Sequence, residues 1–162
     1  MQRRKFLSLG ALAAVATMVP ARLAAEDFRA TKPDVWTSKD INDGIAKLYG
    51  KVPTPSDAVK LTIPKVASNG GQVPVDIATD IPAKTVALFQ DANPESAVIV
   101  FNVYENSVVD YSIKIKMKKS GTMTVVVEGL DGKLYSVTKS IDVALGGCEG
   151  WFSFYNRSKQ KK

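Results

Sequence analysis

The chain has 162 residues, 45% of them hydrophobic, which is enough for one globular domain with a core. It contains no histidine and a single cysteine, Cys148. Catalytic triads and dyads with an imidazole base, histidine-ligated zinc or haem, intramolecular disulfides and C-x-x-C sites are therefore excluded. Any thiol chemistry must come from Cys148 alone.

The basic charge of the chain lies at its two ends. The formal net charge is +6, but residues 1–25 carry four basic and no acidic residues, and residues 151–162 do the same. Residues 26–150 are therefore left with a net charge of about −2. Because nucleic-acid binding needs a basic folded surface, we expect no nucleic-acid partner.

Residues 1–25 have the features of a twin-arginine (Tat) export signal. Arg3 and Arg4 are followed closely by an aromatic residue and a leucine, and an apolar run extends from Leu9 to Val19. That run is shorter than the roughly 20 residues of a membrane-spanning helix. We expect cleavage after Ala25 and a periplasmic mature protein with no membrane segment. Because the Tat route carries folded proteins, export with a folded partner subunit is also expected.

One helix is predicted near the start of the mature chain. Thr37 and Asp40 have the spacing of a capping box, and Ile41, Ile45 and Leu48 recur on one helix face. Gly50 and the prolines after it provide a stop. These signals predict a helix over residues 38–49, the only substantial one, with its apolar face packed on a sheet.

From Ala58 onward the hydrophobic pattern changes to a period of two. A first hairpin is predicted around residues 68–71, whose asparagine and glycines suit a tight turn with positive φ. Five further strands are predicted at residues 86–89, 98–104, 111–117, 122–127 and 134–143. Seven short strands with turn signals between them indicate a mainly β fold over residues 26–145, an immunoglobulin-like antiparallel β-sandwich with one N-terminal helix.

Two of these strands differ in pattern. Residues 111–117 alternate strictly, with Ser112, Lys114 and Lys116 on one face, and predict a half-buried strand whose basic face is solvated or binds an acidic partner. The longer apolar run at residues 97–103 lacks alternation and predicts a strand deep between the sheets. The aromatic residues lie on different strands, which favours a core over a ligand cage; they are Phe89, Phe101, Tyr104, Tyr111 and Tyr135.

Residues 146–150 come after the last predicted strand and read Gly-Gly-Cys-Glu-Gly. The glycines Gly146, Gly147 and Gly150 remove bulk and leave the backbone unrestrained, so we predict a flexible C-terminal arm with an exposed thiol at Cys148. A few extended residues at about 3.3 Å each would carry the sulfur off the domain into a narrow pocket of another protein. The alternative is a frayed terminus with an incidental thiol.

The Tat signal, one helix, the β-sandwich, the segment Asp131–Ser136 before the last strand and the terminal Gly-Gly-Cys together resemble the SoxY family, the sulfur carriers of bacterial thiosulfate oxidation. The resemblance covers nearly the whole chain to Gly150. It implies that Cys148 is the covalent attachment site for thiosulfate and sulfane sulfur, and that Gly146, Gly147 and Gly150 form a swinging arm.

The same resemblance implies a set of partners. It implies a stable heterodimer with SoxZ, a second β-sandwich. It also implies transient binding to three enzymes: the cytochrome SoxXA, which loads thiosulfate, the hydrolase SoxB, which removes sulfate, and SoxCD, which oxidises the remaining sulfur. The carrier itself is then not an enzyme and needs no cofactor and no metal, in keeping with the absence of histidine.

The chain departs from the family pattern at two places. Glu149 stands where the family has glycine, and its negative charge disfavours the thiolate and repels anionic sulfur groups. Residues 151–162 form an aromatic and basic tail beyond the point where the family ends. The tail is either the product of read-through of a stop codon or a docking segment, and the intact mass of the mature protein distinguishes the two.

Two other functional classes remain open from the residues alone. The first is a non-catalytic immunoglobulin-like periplasmic pairing or assembly subunit with an inactive cysteine. The second is a thiol enzyme, which is disfavoured because the chain offers neither a histidine base nor a second, resolving cysteine.

Overall fold

The computed structural model describes residues 25–144. Of these residues, 46% lie in strands and 15% in helices. The fold is a β-sandwich of a six-stranded and a three-stranded sheet, with the helices packed on the outside of the larger sheet. The predicted fold class is confirmed for this part of the chain.

The helices come first. They are α1 (Phe28–Thr31), a 3₁₀ helix (Pro33–Thr37) and α2 (Ile41–Tyr49). The predicted capping box was wrong: Asp40 caps α2 itself, its carboxylate accepting hydrogen bonds from the backbone N–H groups of Asn42 and Asp43 at 2.8 and 3.1 Å. Gly50 ends the helix as predicted, in the left-handed conformation at φ 67°.

Nine strands are found in residues 25–144. They are β1 (Thr54–Pro55), β2 (Val59–Thr62), β3 (Val66–Ala67), β4 (Val73–Thr79), β5 (Ala83–Gln90), β6 (Ala97–Asn102), β7 (Val109–Ile115), β8 (Gly121–Gly129) and β9 (Leu134–Val143). The larger sheet has the order β1-β9-β8-β5-β6, with β3 also paired to β9, and the smaller sheet has the order β2-β4-β7. All pairs are antiparallel except β1 with β9 and β3 with β9.

The strand directions divide the connections between two ends of the sandwich. The loops at residues 68–72, 91–96 and 116–120 meet at one end, where β9 also finishes; we call this the arm end. The loops at residues 80–82, 103–108 and 130–133 meet at the opposite end, which we call the distal end.

The molecule has two apolar layers. Buried side chains of both sheets, such as Ile77 and Val125, form the main core between them. Ile45 and Leu48 of α2 pack with Phe89 and Val126 on the outer face of the larger sheet and form the second layer. The prediction that the helix packs on a sheet is confirmed.

Other strand predictions need correction. β2 and β4 pair antiparallel, but β3 leaves for the other sheet between them, and the turn at residues 69–72 is closed by the Asn69 side chain, which accepts from the Gly71 N–H at 2.7 Å, without positive φ. β6 is the edge strand of its sheet and is half-buried, so the prediction of a deep strand was wrong. Of the aromatic residues assigned to the core, Tyr104 is exposed at the distal end.

The alternation predicted for the strand at residues 111–117 is confirmed. Ser112 and Lys114 on β7 and Lys116 just beyond it are exposed, whereas Ile115 and Met117 are buried in the main core. The basic face is interrupted on the neighbouring strand, where Asp76 stands opposite Ser112.

Candidate functional site

The predicted site residues lie outside the described part of the chain. These residues are Cys148, Gly146, Gly147 and Gly150, together with the signal residues Arg3 and Arg4. The structure describes the point from which the cysteine-bearing segment departs, which is the end of β9 at Val143 and Ala144. We call this point the root.

The root is anchored on both sides. On one side β3 runs parallel to β9, the N–H of Asp142 donates to the carbonyl of Lys65 at 3.0 Å, and the N–H of Ala144 donates to the carbonyl of Ala67 at 2.9 Å. On the other side the hydroxyl of Ser120 accepts a hydrogen bond from the N–H of Val143 at 2.8 Å. The backbone is therefore held up to Ala144, four positions before Cys148.

The Ser120 loop is itself held by the neighbouring loop. The side-chain amide of Asn93 donates to the carbonyl of Lys116 at 2.8 Å and accepts from the N–H of Lys118 at 2.9 Å. Asn93 is positioned by Gln90, whose fully buried side chain accepts from the N–H groups of Ala92 and Asn93 at 2.6 and 2.7 Å. Buried amide groups normally form hydrogen bonds. Here the side chains of Gln90 and Asn93 fix the loops at residues 91–96 and 116–120 next to the root.

The two ends of the sandwich differ in charge. The exposed lysines at the arm end are Lys65, Lys114, Lys116, Lys118 and Lys119, and the acids there are Asp91, Glu95 and Asp142. The exposed acids at the distal end include Asp57, Asp80, Glu105, Asp110 and Asp131, and the exposed lysines there include Lys60, Lys84 and Lys133. The arm end therefore favours anions relative to the distal end.

A polar cluster ties α2 to the larger sheet. The hydroxyl of Tyr49 lies 3.0 Å from that of Thr85, which donates to a Glu128 carboxylate oxygen at 3.0 Å, and Lys84 pairs with Glu128 at 3.3 Å. Burial raises the pKa of Tyr49, so its hydroxyl stays protonated at neutral pH. These hydrogen bonds link α2 to the larger sheet, so the cluster has a structural role.

Residues 25–144 contain neither a candidate metal site nor a candidate membrane-spanning helix. No group of three or more Cys, Asp or Glu side chains is arranged to hold a metal ion. No helix in this part of the chain is long and apolar enough to cross a membrane.

The anchoring residues were not found from the sequence. Ser120 lies between the strands predicted at residues 111–117 and 122–127 and gave no signal of its own, and the two residues of β3 are too few to show a period. Gln90 was not singled out from the sequence. Its position in an apolar strand does not reveal that its side chain forms three hydrogen bonds to the following loop.

Fold and root together define a small two-sheet β-sandwich that holds the last strand rigidly to Ala144 and presents the C-terminal segment at one end. The model of the family described as "Sulfur oxidation protein SoxY" matches residues 45–148, so that the matched region finishes on Cys148. The chain belongs to the SoxY family.

The structure supports this assignment. It is similar to the sulfur carrier protein SoxY from Chlorobium limicola f thiosulfatophilum, with a TM-score of 0.57 and 34% sequence identity over 70% of this chain and 97% of that one. Two superoxide reductases are also similar in part: one from Ignicoccus hospitalis (TM-score 0.48, 17% identity, 53% of this chain and 79% of that one) and a putative one from Thermotoga maritima (0.45, 14%, 56% and 93%). At that level they support no argument about this chain. No curated protein matches the sequence significantly.

Proposed function

We propose that this protein is a covalent carrier of sulfur intermediates, bound to Cys148, during periplasmic thiosulfate oxidation. The observation that carries the proposal is the family match, which runs through the whole sandwich and finishes on the one cysteine of the chain. The related Chlorobium protein is described as a sulfur carrier.

The anchored root is consistent with a carrier. Cys148 comes four positions after Ala144, so its Cα atom lies at most about 14 Å from the end of the sandwich. That distance suits delivery of a sulfur atom into a narrow pocket while the domain itself stays outside. The lysines around the arm end favour anionic cargo such as thiosulfate and sulfonate groups.

The loading step balances without a catalytic group on the carrier. A bond forms between Cys148 Sγ and the outer sulfur of thiosulfate, the thiol gives up its proton, and two electrons pass to an external oxidant, here the loading cytochrome. Addition of water to the terminal sulfonate then releases sulfate and leaves a persulfide on the cysteine. The protein therefore acts as the substrate of other enzymes, and we assign it no enzymatic activity.

The proposal includes partners and a location. Pairing with SoxZ, transient encounters with SoxXA, SoxB and SoxCD, and Tat export through Arg3 and Arg4 are inferred from the family and from the first 25 residues. Mass spectrometry of the exported protein tests the location: a mature chain that begins at Glu26 is expected, and a start elsewhere contradicts it.

The function is tested by loading the cysteine. The purified protein, alone and with its SoxZ-type partner, is incubated with thiosulfate and the loading cytochrome, and its intact mass is measured. We expect a gain of one thiosulfate group that is reversed by a reducing thiol and is absent from Cys148→Ala. An unmodified but stably paired protein would overturn the carrier role and favour the assembly subunit.

A further inference from the structure

A cleft at the distal end lies away from the root and from the point where the cysteine-bearing segment departs. The loops at residues 80–82, 103–108 and 130–133 enclose about 520 Å³, which is within the range of ligand-binding sites. Three large apolar side chains at the cleft are exposed: Tyr104 (52%), Val108 (81%) and Leu130 (60%). Clustered exposed apolar groups of this kind mark interaction surfaces. We call this site the distal cleft.

The distal cleft is preformed. The N–H of Leu130 donates to the carbonyl of Pro82 at 2.8 Å, and the N–H of Ser107 donates to the carbonyl of Tyr104 at 3.1 Å. The N–H of Ile81 donates to the hydroxyl of Thr79 at 3.2 Å. Since the loops are already held, a binding partner does not have to order them, which lowers the cost of binding.

The rim of the distal cleft is acidic. Asp80 and Glu105 line it, and neither forms an ion pair within residues 25–144. Asp131 comes directly after Leu130 and lies 3.8 Å from Lys133. An occupant that fits this site therefore combines apolar, preferably aromatic, side chains with positive charge.

The chain carries such a segment at its own C-terminus. Residues 151–155 read Trp-Phe-Ser-Phe-Tyr, and residues 156–162 contain four basic and no acidic residues. We propose that residues 151–162 of one chain bind the distal cleft of a second copy of this chain, with aromatic rings against Tyr104, Val108 and Leu130 and basic side chains facing Asp80 and Glu105.

Chain length favours a second copy over the same molecule. The ten residues of β9 place its two ends about 30 Å apart, and the distal cleft lies beyond the first of them. Trp151 is seven positions past Ala144 and reaches at most about 25 Å from it. Within one molecule, Trp151 therefore falls short of the cleft, and Phe154, ten positions past Ala144, reaches at most about 35 Å and enters it only when the intervening chain is almost fully extended. A second copy can place the whole tail in the cleft without that constraint.

The resulting contact is heterologous, because the tail and the cleft are different surfaces. Such contacts produce open chains that lengthen with concentration or, where the rotation between copies closes, rings of fixed size. A single short segment buries little area, so we expect weak association that is weakened further by salt.

The test uses the full chain with Cys148→Ala, which removes intermolecular disulfides. Sedimentation velocity from about 10 to 500 µM should show the mean sedimentation coefficient rising with concentration. Leu130→Asp, which damages the cleft, and Trp151→Ala/Phe154→Ala, which damages the tail, should each weaken association at least ten-fold. Because each variant keeps the surface that the other lacks, mixing the two should restore a one-to-one dimer.

Val66→Asp is the matched control. Val66 is exposed to a similar extent (58%) but lies at the arm end, so this change should leave association intact. The dimer restored on mixing shows that the tail variant keeps a folded cleft, and far-UV circular dichroism of Leu130→Asp shows that this variant is folded as well. The proposal is overturned if the wild-type tail and cleft show no association, if association survives the tail variant, or if mixing restores nothing.

Discussion

The hydroxyl of Ser120 accepts a hydrogen bond from the backbone N–H of Val143 at 2.8 Å, which joins the β7–β8 loop to the last residue of β9. With the β3 pairing on the opposite side, this bond holds the end of the strand from which the cysteine-bearing segment departs. A carrier that must present its thiol in a defined direction benefits from a firm root at this position.

Ser120→Ala tests the contribution of this bond. The Val143 N–H loses its acceptor, and we expect its amide hydrogen to exchange about five-fold faster, because one exposed hydrogen bond contributes about 1 kcal/mol or less. Ser112→Ala, on the exposed outer face of β7, is the control and should leave exchange at Val143 unchanged. Equal exchange rates in the two variants would show that the hydroxyl does not hold the strand end.

Gln90 supports the same root from below. Its fully buried amide accepts from Ala92 and Asn93 and donates to the carbonyl of Glu95 at 2.5 Å. Gln90→Met keeps the volume but leaves three backbone groups without their partner, among them the buried N–H of Ala92, so the free energy of unfolding should fall by about 2 to 4 kcal/mol. Urea denaturation measures it.

Gln72→Met is the control for that change, because Gln72 lies in the turn before β4, away from the buried amide. Its free energy of unfolding should change by less than about 0.5 kcal/mol. If Gln90→Met is as stable as this control, the loop at residues 91–96 is not maintained by the buried amide.

At Gly44, side-chain packing and helix propensity have opposite effects on the free energy of unfolding. A Cβ atom here would lie 3.0 Å from Phe89 Cε1 and 2.9 Å from the Ser96 hydroxyl. Alanine favours a helix by about 1 kcal/mol over glycine, but α2 would have to move away from the buried Phe89 ring. We expect Gly44→Ala to lower the free energy of unfolding by about 1 to 2 kcal/mol. Asn42→Ala, on the exposed face, should be neutral, and a stabilised Gly44→Ala would contradict the packing argument.

These residues show what local patterns could and could not predict. The alternation at residues 111–117 predicted β7 and its buried face, since a strand with one solvated side carries its register in its own sequence. The apolar run at residues 97–103 led to the wrong prediction of a deeply buried strand, because β6 is an edge strand that is half-buried on both faces. Only tertiary contacts decide which strand lies at an edge.

The candidate site stays a prediction at Cys148, which lies outside the described residues. The unusual composition around Cys148 singled it out as a candidate, because neighbouring glycines are visible in a short stretch of sequence. β3 and Ser120 were not predictable, since each holds the root through one or two hydrogen bonds to residues far along the chain. Asp40 was assigned to the wrong position of the cap for a related reason: Thr37 ends the preceding 3₁₀ helix and its hydroxyl donates to the carbonyl of Asp34 at 3.1 Å.

The β8–β9 turn should make stability depend on pH in the acid range. The Tyr135 hydroxyl donates to an Asp131 carboxylate oxygen at 2.7 Å, and the Lys133 N–H donates to the other at 3.0 Å. These bonds lower the pKa of Asp131 below its usual value, mainly through Tyr135. The stabilisation is therefore present above the unfolded-state pKa of about 3.9 and is lost as the pH falls through the lower, folded-state pKa.

Asp131→Asn removes that dependence. The difference in urea midpoint between wild type and Asp131→Asn should be constant from about pH 6 to pH 5 and should shrink as the pH falls below about 4. Tyr135→Phe, which removes the main hydrogen bond to Asp131, should reduce the same pH dependence. A difference that grows on acidification would mean that the bonds favour the protonated carboxyl.

The last prediction concerns the charge next to the thiol. Glu149 directly follows Cys148 in the sequence, so its negative charge is close to the thiol along the chain and repels an approaching anion. Glu149→Gln should therefore raise the rate of disulfide exchange at Cys148 with anionic 5,5′-dithiobis(2-nitrobenzoate) by about three-fold relative to neutral 4,4′-dithiodipyridine, at low ionic strength. Salt at about 0.5 M should abolish the gain by screening. Glu105→Gln makes the same charge change at the distal end and should not alter the ratio. A gain that persists in salt, or one that Glu105→Gln reproduces, would exclude a local electrostatic effect of Glu149.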